Sequence, residues 1–418
     1  MAALIVASVL TALNLSAQTF VPNYDESLVP QYTLPDPLLF ENGEKVKTAQ
    51  DWAKRRREIF RLFEEEVYGV SPQWKGNLKA SVVYENLNAL DGLAILREIK
   101  ITLQYHDREL DFYVLLHLPK SVQPVPVFLG FNFFGNHTTS DDPGIMVTQS
   151  WVRNSQSFGI TDNRATEDSR GLRINRWPAM EVVSRGYGLA TIYYGDVDPD
   201  FDDGFENGVH GLMGKKHKEN SWGSIAAWAW GLSRVMDFFE TYEPVDVNRI
   251  AVIGHSRLGK AALWAGAMDK RFAIVISNNS GCGGAALSMR RFGETVGRIN
   301  SNFPHWFAGN FKRYNENEDL LPVDQHQLLA LIAPRPLYVA SAEEDRWADP
   351  KGEFLASVEA TPVYQLLGFT GLPVNEMPGL NQPVHGTIGY HIRSGVHDIV
   401  LYDWEQYMNF ADKFFKNK

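Results

Sequence analysis

The chain has 418 residues, of which 44% are hydrophobic and 12% aromatic, enough apolar material for a large buried core and too much for a disordered chain. A formal net charge of −10 argues against nucleic acid or an anionic membrane as partner, because both call for a basic footprint. Cys282 is the only cysteine, so no internal disulfide forms and the fold rests on its core.

Residues 2–17, AALIVASVLTALNLSA, are apolar and end in Leu-Ser-Ala before Gln18. They read as a cleaved export signal, too short for a stable anchor, although no Lys or Arg precedes Lys45. The mature protein is therefore expected to be secreted or periplasmic. Residues 18–48 are rich in proline and without periodicity, as in an extended segment laid over a domain. TAQDWAKRRREIFRLFEEEVYG then places Trp52, Ile59, Phe60, Leu62 and Phe63 at helical spacing. KASVVYEN, LAILREIKITLQY and LDFYVLLHLP follow as antiparallel strands.

From there the pattern changes to apolar runs of strand length: VPVFLGFN, YGLATIYYG, IAVIGH, FAIVISN and PLYVASA. Helical stretches separate them, such as SIAAWAWGLSRVMDFF, in which Ile225, Trp228, Leu232, Val235 and Phe239 share a face. Near-continuous apolar strands alternating with helices predict a mostly parallel sheet covered on both sides. The expected architecture is an α/β-hydrolase fold, a three-layer αβα sandwich, with residues 18–418 as a single catalytic domain.

Two polar loops, 132–175 and 195–221, follow strand ends and are expected to wall a site there. The second carries Asp196, Asp198, Asp200, Asp202 and Asp203. Counted from Asp198, a calcium loop would need Gly and Glu where Asp203 and Val209 stand, so the stretch reads as a solvated loop and no metal is expected.

Residues 250–266, IAVIGHSRLGKAALWAG, carry strand character into a helix-forming run, with Ser256 at the corner. This is one residue away from the nucleophile-elbow pattern GxSxG, since Leu258 stands where the second glycine belongs and Gly259 follows it. The residues alone leave two readings, a nucleophile or a helix N-cap. A nucleophilic serine needs a base, and in this fold the order along the chain is nucleophile, acid, histidine. His385, His391 and His397 are late enough, and His397 stands in a glycine-containing loop before the amphipathic LYDWEQYMNFADKFF. After PLYVASA, Glu343, Glu344 and Asp345 occupy the usual place of the acid. His255, beside the corner, reads as packing.

GHSRLGK, AGAMDKRFAIVISNNSGCGGAA, RRFGE, SAEEDRWADPKGEF and GYHIRSGVHDIVLYDW together resemble the glucuronoyl esterases of carbohydrate esterase family 15, over residues 125–415. The family elbow is G-x-S-R-x-G-K, so the resemblance implies Ser256 as nucleophile and His397 as base, with His391 in a supporting role. It implies that Arg257 stabilises the oxyanion through its guanidinium as well as its backbone N–H, and that Lys260, Glu294 and Trp347 contact a uronic acid. Some members carry a glutamate where Asn279 stands here. Bacterial members keep an acid after the next strand, which favours Asp345, with Glu344 second. The implied reaction is hydrolysis of the ester between glucuronic acid of xylan, or its 4-O-methyl form, and a lignin-type alcohol, with no metal or organic cofactor. Another carbohydrate esterase, for instance one releasing acetate, and a non-catalytic saccharide-binding protein are the alternatives.

Overall fold

The computed structural model describes residues 20–214 and 217–416, so the expected export signal lies outside the described residues. Its centre is a ten-stranded sheet of order β1-β2-β3-β5-β4-β6-β7-β8-β10-β9. The strands are β1 (Asn77–Ala89), β2 (Ala94–Tyr105), β3 (Arg108–Pro119), β4 (Val125–Asn132) and β5 (Gly188–Tyr193), then β6 (Val245–His255), β7 (Ile274–Asn278), β8 (Leu337–Ala342), β9 (Val384–His385) and β10 (Ile388–Arg393). As the alternating runs predict, β1, β2 and β3 pair antiparallel, and β3 joins β5 antiparallel. From β5 through β4, β6, β7, β8 and β10 every pairing is parallel.

The period-2 alternation of side chains sorts the parallel strands between two cores. Val127, Leu129, Val252, Val275 and Val339 face one of them. Phe128, Ala251, Ile253, Ile276 and Tyr338 face the other. Helices α1 (Ala49–Phe63), α2 (Ser224–Phe239), α3 (Arg257–Met268) and α4 (Pro350–Leu366) contribute to the first core, and α5 (Leu401–Phe415) to the second. Burial on both faces is why these strands read as unbroken apolar runs, and the outcome is the expected three-layer sandwich.

Two features depart from the sequence reading. GYHIRSG, where the sequence reading placed no strand, contains the buried strand β10, whose His391 and Arg393 both reach Asp403 of α5: His391 Nε2 lies 2.8 Å from Oδ1, and Arg393 Nε 3.0 Å from Oδ2. Their polarity is absorbed inside the fold, so the strand lacks an apolar signature. The aspartate-rich stretch is not a solvated loop, since Asp196, Asp198 and Asp200 are buried. A buried carboxylate requires partners, and here they come from remote segments.

Candidate active site

Strand β6 ends at His255 and α3 begins at Arg257, leaving Ser256 at the corner with φ 59° and ψ −130°. An L-residue there is strained, and the surroundings hold it. Ser256 N–H donates to Asn278 O at 2.9 Å, and Gly259 N–H donates to Ser256 O at 2.9 Å. A Cβ on Gly254 would lie 1.9 Å from Leu258 O, and one on Gly259 would lie 3.0 Å from the Cβ of Ser280. The elbow therefore needs Gly254, and Gly259 packs closely beneath the loop after β7. The Ser256 hydroxyl makes no capping bond, which removes the N-cap reading.

The segment between β10 and α5 brings His397 to the same cavity. Its Nδ1 donates to Asp345 Oδ2 at 2.5 Å, which leaves Nε2 of the neutral ring free to accept a proton. Of the three acids after β8, Glu343 and Glu344 are exposed and Asp345 is buried. Asn279 also has a left-handed backbone, φ 47°, and its side-chain amide donates to Asp345 Oδ2 at 2.9 Å. It supports the carboxylate rather than replacing it. His255 is buried with its ring centroid 4.5 Å from that of His397, and its Nδ1 donates to Asn278 Oδ1 at 2.6 Å. Burial holds His255 well below the usual imidazole range, so it packs as a neutral ring.

Arg257 leaves the elbow toward a carboxylate that the sequence reading missed. Its Nη1 donates to Asp200 Oδ2, and its guanidinium lies 4.8 Å from the Trp306 ring centroid and 5.5 Å from that of Phe303. Asp200 also accepts from Trp306 Nε1 at 2.7 Å, Tyr194 Oη at 3.0 Å and His305 Nε2 at 3.1 Å. Burial would raise its pKa, but Arg257 and these donors hold the carboxyl well below the usual range. The partners come from three stretches of chain, so no local pattern could reveal the cluster.

Lys260, one turn into α3, is buried and donates from Nζ to Cys282 O at 2.6 Å and to Ser280 O. Burial lowers its pKa while Glu294 counteracts, and burial raises that of Glu294 while Lys260 counteracts. Trp347 O accepts from Glu294 N–H at 3.0 Å. Ser256, Arg257, Lys260, Glu294, Asp345, Trp347 and His397 thus line one cavity of about 350 Å³, together with Asn279, Phe303 and Trp306. A serine at a strained corner, an imidazole and its carboxylate partner thus line one cavity, the residue types that acyl transfer uses, with a guanidinium beside the elbow. Among the described residues, no group of three or more His, Cys, Asp or Glu is arranged to hold a metal.

The floor of this cavity is held by Glu353 of α4. Its Oε1 accepts from the backbone N–H of Ser280 at 2.8 Å and Gly281 at 3.0 Å, and its Oε2 lies 2.6 Å from Ser341 Oγ. Burial pushes its carboxyl up to about 8, so it folds as the neutral acid. A pKa raised on folding contributes stability below the unfolded carboxyl range, and that contribution is lost as pH rises through 8. Glu353→Gln keeps an acceptor toward the Ser280 and Gly281 N–H groups and a donor toward Ser341, without a titrating proton. We expect melting temperatures between pH 5 and 9 to fall several degrees less in the variant than in the wild type by calorimetry; parallel curves would show that Glu353 does not titrate with folding.

Comparison with known proteins identifies the family. Residues 188–368 match the family model for fungal glucuronyl esterases. A solved structure, a promiscuous esterase of carbohydrate esterase family 15 from a marine bacterial metagenome, is 51% identical with a TM-score of 0.89, covering 94% of this chain and 99% of its own. The glucuronoyl esterase from Solibacter usitatus is 46% identical with a TM-score of 0.87, covering 93% and 100%. The 4-O-methyl-glucuronoyl methylesterase from Schizophyllum commune is 27% identical, covering 87% of this chain and 79% of its own length. With half of its residues shared along nearly its whole length, and with the displaced-glycine elbow in place, the chain belongs to carbohydrate esterase family 15, the glucuronoyl esterases.

Proposed function

We propose that this protein is a serine esterase that hydrolyses the ester between glucuronic acid, or its 4-O-methyl form, on xylan and a lignin-type alcohol. One observation carries the reading: the His397–Asp345 pair opens onto the same cavity as Ser256, and that cavity also holds Lys260, Glu294 and Trp347. Ser256 Oγ attacks the ester carbonyl while His397 Nε2 takes its proton. The backbone N–H and guanidinium of Arg257 stabilise the oxyanion. Collapse of the tetrahedral intermediate expels the alcohol, which takes the proton from His397. Water then attacks the glucuronoyl-enzyme with His397 as base, releasing the acid and restoring Ser256. Lys260 and Glu294 bind sugar hydroxyls, and Trp347 offers its indole to the ring. Asp200 acts through Arg257 as a positioning residue, fixing the guanidinium beside the carbonyl. A polymeric substrate, and the apolar residues 2–17, support the reading of an exported enzyme.

The family relative described as promiscuous supports a second reading, another carbohydrate esterase such as one releasing acetate. Assay of glucuronic acid benzyl ester against acetylated xylan, with the Ser256→Ala protein as blank, decides between them. Faster turnover of the glucuronate ester is expected. Preferential acetate release would replace the proposed substrate, and binding of xylo-oligosaccharides without turnover of either ester would leave a saccharide-binding protein.

A further inference from the structure

The segment that brings Asp200 to Arg257 continues to Trp222, and there it borders a second cavity, of about 470 Å³. The two cavities share a wall: Ser224 N–H donates to His305 O at 2.9 Å and Ile225 N–H to Trp306 O at 3.1 Å, so the backbone after Trp222 lies directly against the segment that carries Trp306. Lys75, Tyr105, Phe205, His217, Lys218 and Trp222 are among the residues lining the second cavity.

Its walls are aromatic. The Phe205 and His217 rings stack with centroids 3.7 Å apart and planes within 5°, although Phe205 has a left-handed backbone, φ 65°. A bulky residue is held there only by its surroundings. Asp203 supplies part of that hold by accepting from Phe205 N–H at 2.8 Å and Asn207 N–H at 2.9 Å. Behind the stack, His210 is buried with Nδ1 2.8 Å from Asp198 and Nε2 3.1 Å from Trp222 O. With both nitrogens facing acceptors, the ring is suited to the imidazolium form, which neutralises Asp198. Lys75 and Lys218 line the same cavity as exposed residues, and among the described residues neither forms an ion pair. The cavity therefore combines flat apolar faces with two ammonium groups lacking a protein carboxylate.

We propose that this cavity is a second saccharide site that takes an unesterified glucuronate group of xylan, its carboxylate between Lys75 and Lys218 and its ring against the aromatic walls. The proposal rests on the glucuronoyl esterase reading, because glucuronoxylan carries many such groups along one chain. Holding one of them here raises the effective concentration of a neighbouring ester at Ser256. Small esters, which cannot span the two sites, gain nothing.

The test compares wild type with the Lys75→Ala/Lys218→Ala double variant, whose substitutions lie on the surface. On glucuronic acid benzyl ester, kcat/KM is expected to stay within twofold. On polymeric glucuronoxylan ester, KM is expected to rise at least threefold at low salt with kcat unchanged, and added sodium chloride should erase the difference. Calorimetric titration with a free-acid glucuronoxylo-oligosaccharide is expected to lose one binding equivalent in the variant, whereas a neutral xylo-oligosaccharide should bind both proteins alike. Equal KM on the polymer, an equal loss on both esters, or retention of both binding equivalents would overturn the proposal. If wild type fails on the benzyl ester, the esterase reading falls, and the titration still decides whether the cavity binds uronate.

Discussion

Asp345→Asn is expected to lower kcat about 1,000- to 10,000-fold on a glucuronate ester, with KM little changed. The carboxylate accepts the Nδ1 proton of His397 at 2.5 Å, so it sets the tautomer that leaves Nε2 free to accept a proton. It also balances the imidazolium formed as Ser256 attacks. An amide at this position presents either an oxygen without charge or an N–H that forces the wrong tautomer on the ring. Asn279 already donates to the same oxygen at 2.9 Å, so a second amide beside it competes for acceptors as well. Asn279→Asp is expected to change kcat less than tenfold, and Glu344→Gln not at all, because Glu344 is exposed and Asp345 is the acid hydrogen-bonded to the imidazole. Steady-state kinetics of the three variants separates these roles; near-normal turnover by Asp345→Asn would remove it from the mechanism.

Arg257→Ala is expected to lower kcat about 100- to 1,000-fold, the loss typical of one oxyanion donor. Arg257→Lys should recover little of it. Lysine lacks the planar fork that pairs with Asp200 and lies over the Trp306 and Phe303 rings, so its charge would not be held in place. Removing the arginine also leaves the Asp200 carboxylate buried without its cation, a destabilising change. The Arg257→Ala/Asp200→Asn double variant corrects for this: its melting temperature should exceed that of Arg257→Ala while its kcat stays equally low. Asp200→Asn alone should retain the fold and lose about tenfold in kcat with KM unchanged, since a loosened guanidinium still carries its charge. An Arg257→Ala enzyme with normal kcat would show that the backbone N–H alone stabilises the oxyanion.

What could be read from the sequence follows from where each signal lies. Strands β4, β6 and β8 are buried on both faces and spell this in consecutive apolar residues, and the elbow is local, so VPVFLGFN, IAVIGH and the Ser256 corner were legible. Strand β10 was hidden because its His391 and Arg393 are buried with Asp403 as a shared partner, which lies on another element. Among Glu343, Glu344 and Asp345 the sequence provides three equivalent acids, and the turn after β8 distinguishes them by turning one side chain inward. Asp200 was misread as a solvated charge for the same reason: Tyr194, Arg257, His305 and Trp306 converge on it only after folding. Buried polar groups depend on distant partners, whereas apolar periodicity is written within each element.

The balanced charges of the main cavity bear on how turnover ends. Arg257 is matched by Asp200, and Lys260 and Glu294 act on one another, so each basic group beside the reacting ester has an acidic counterpart. An uncharged ester enters and a sugar acid departs as an anion. Because, among the described residues, each cation at the reaction centre already faces an acid, the newly made anion leaves without first having to break free of an electrostatic trap, and hydrolysis creates its own incentive for the site to empty.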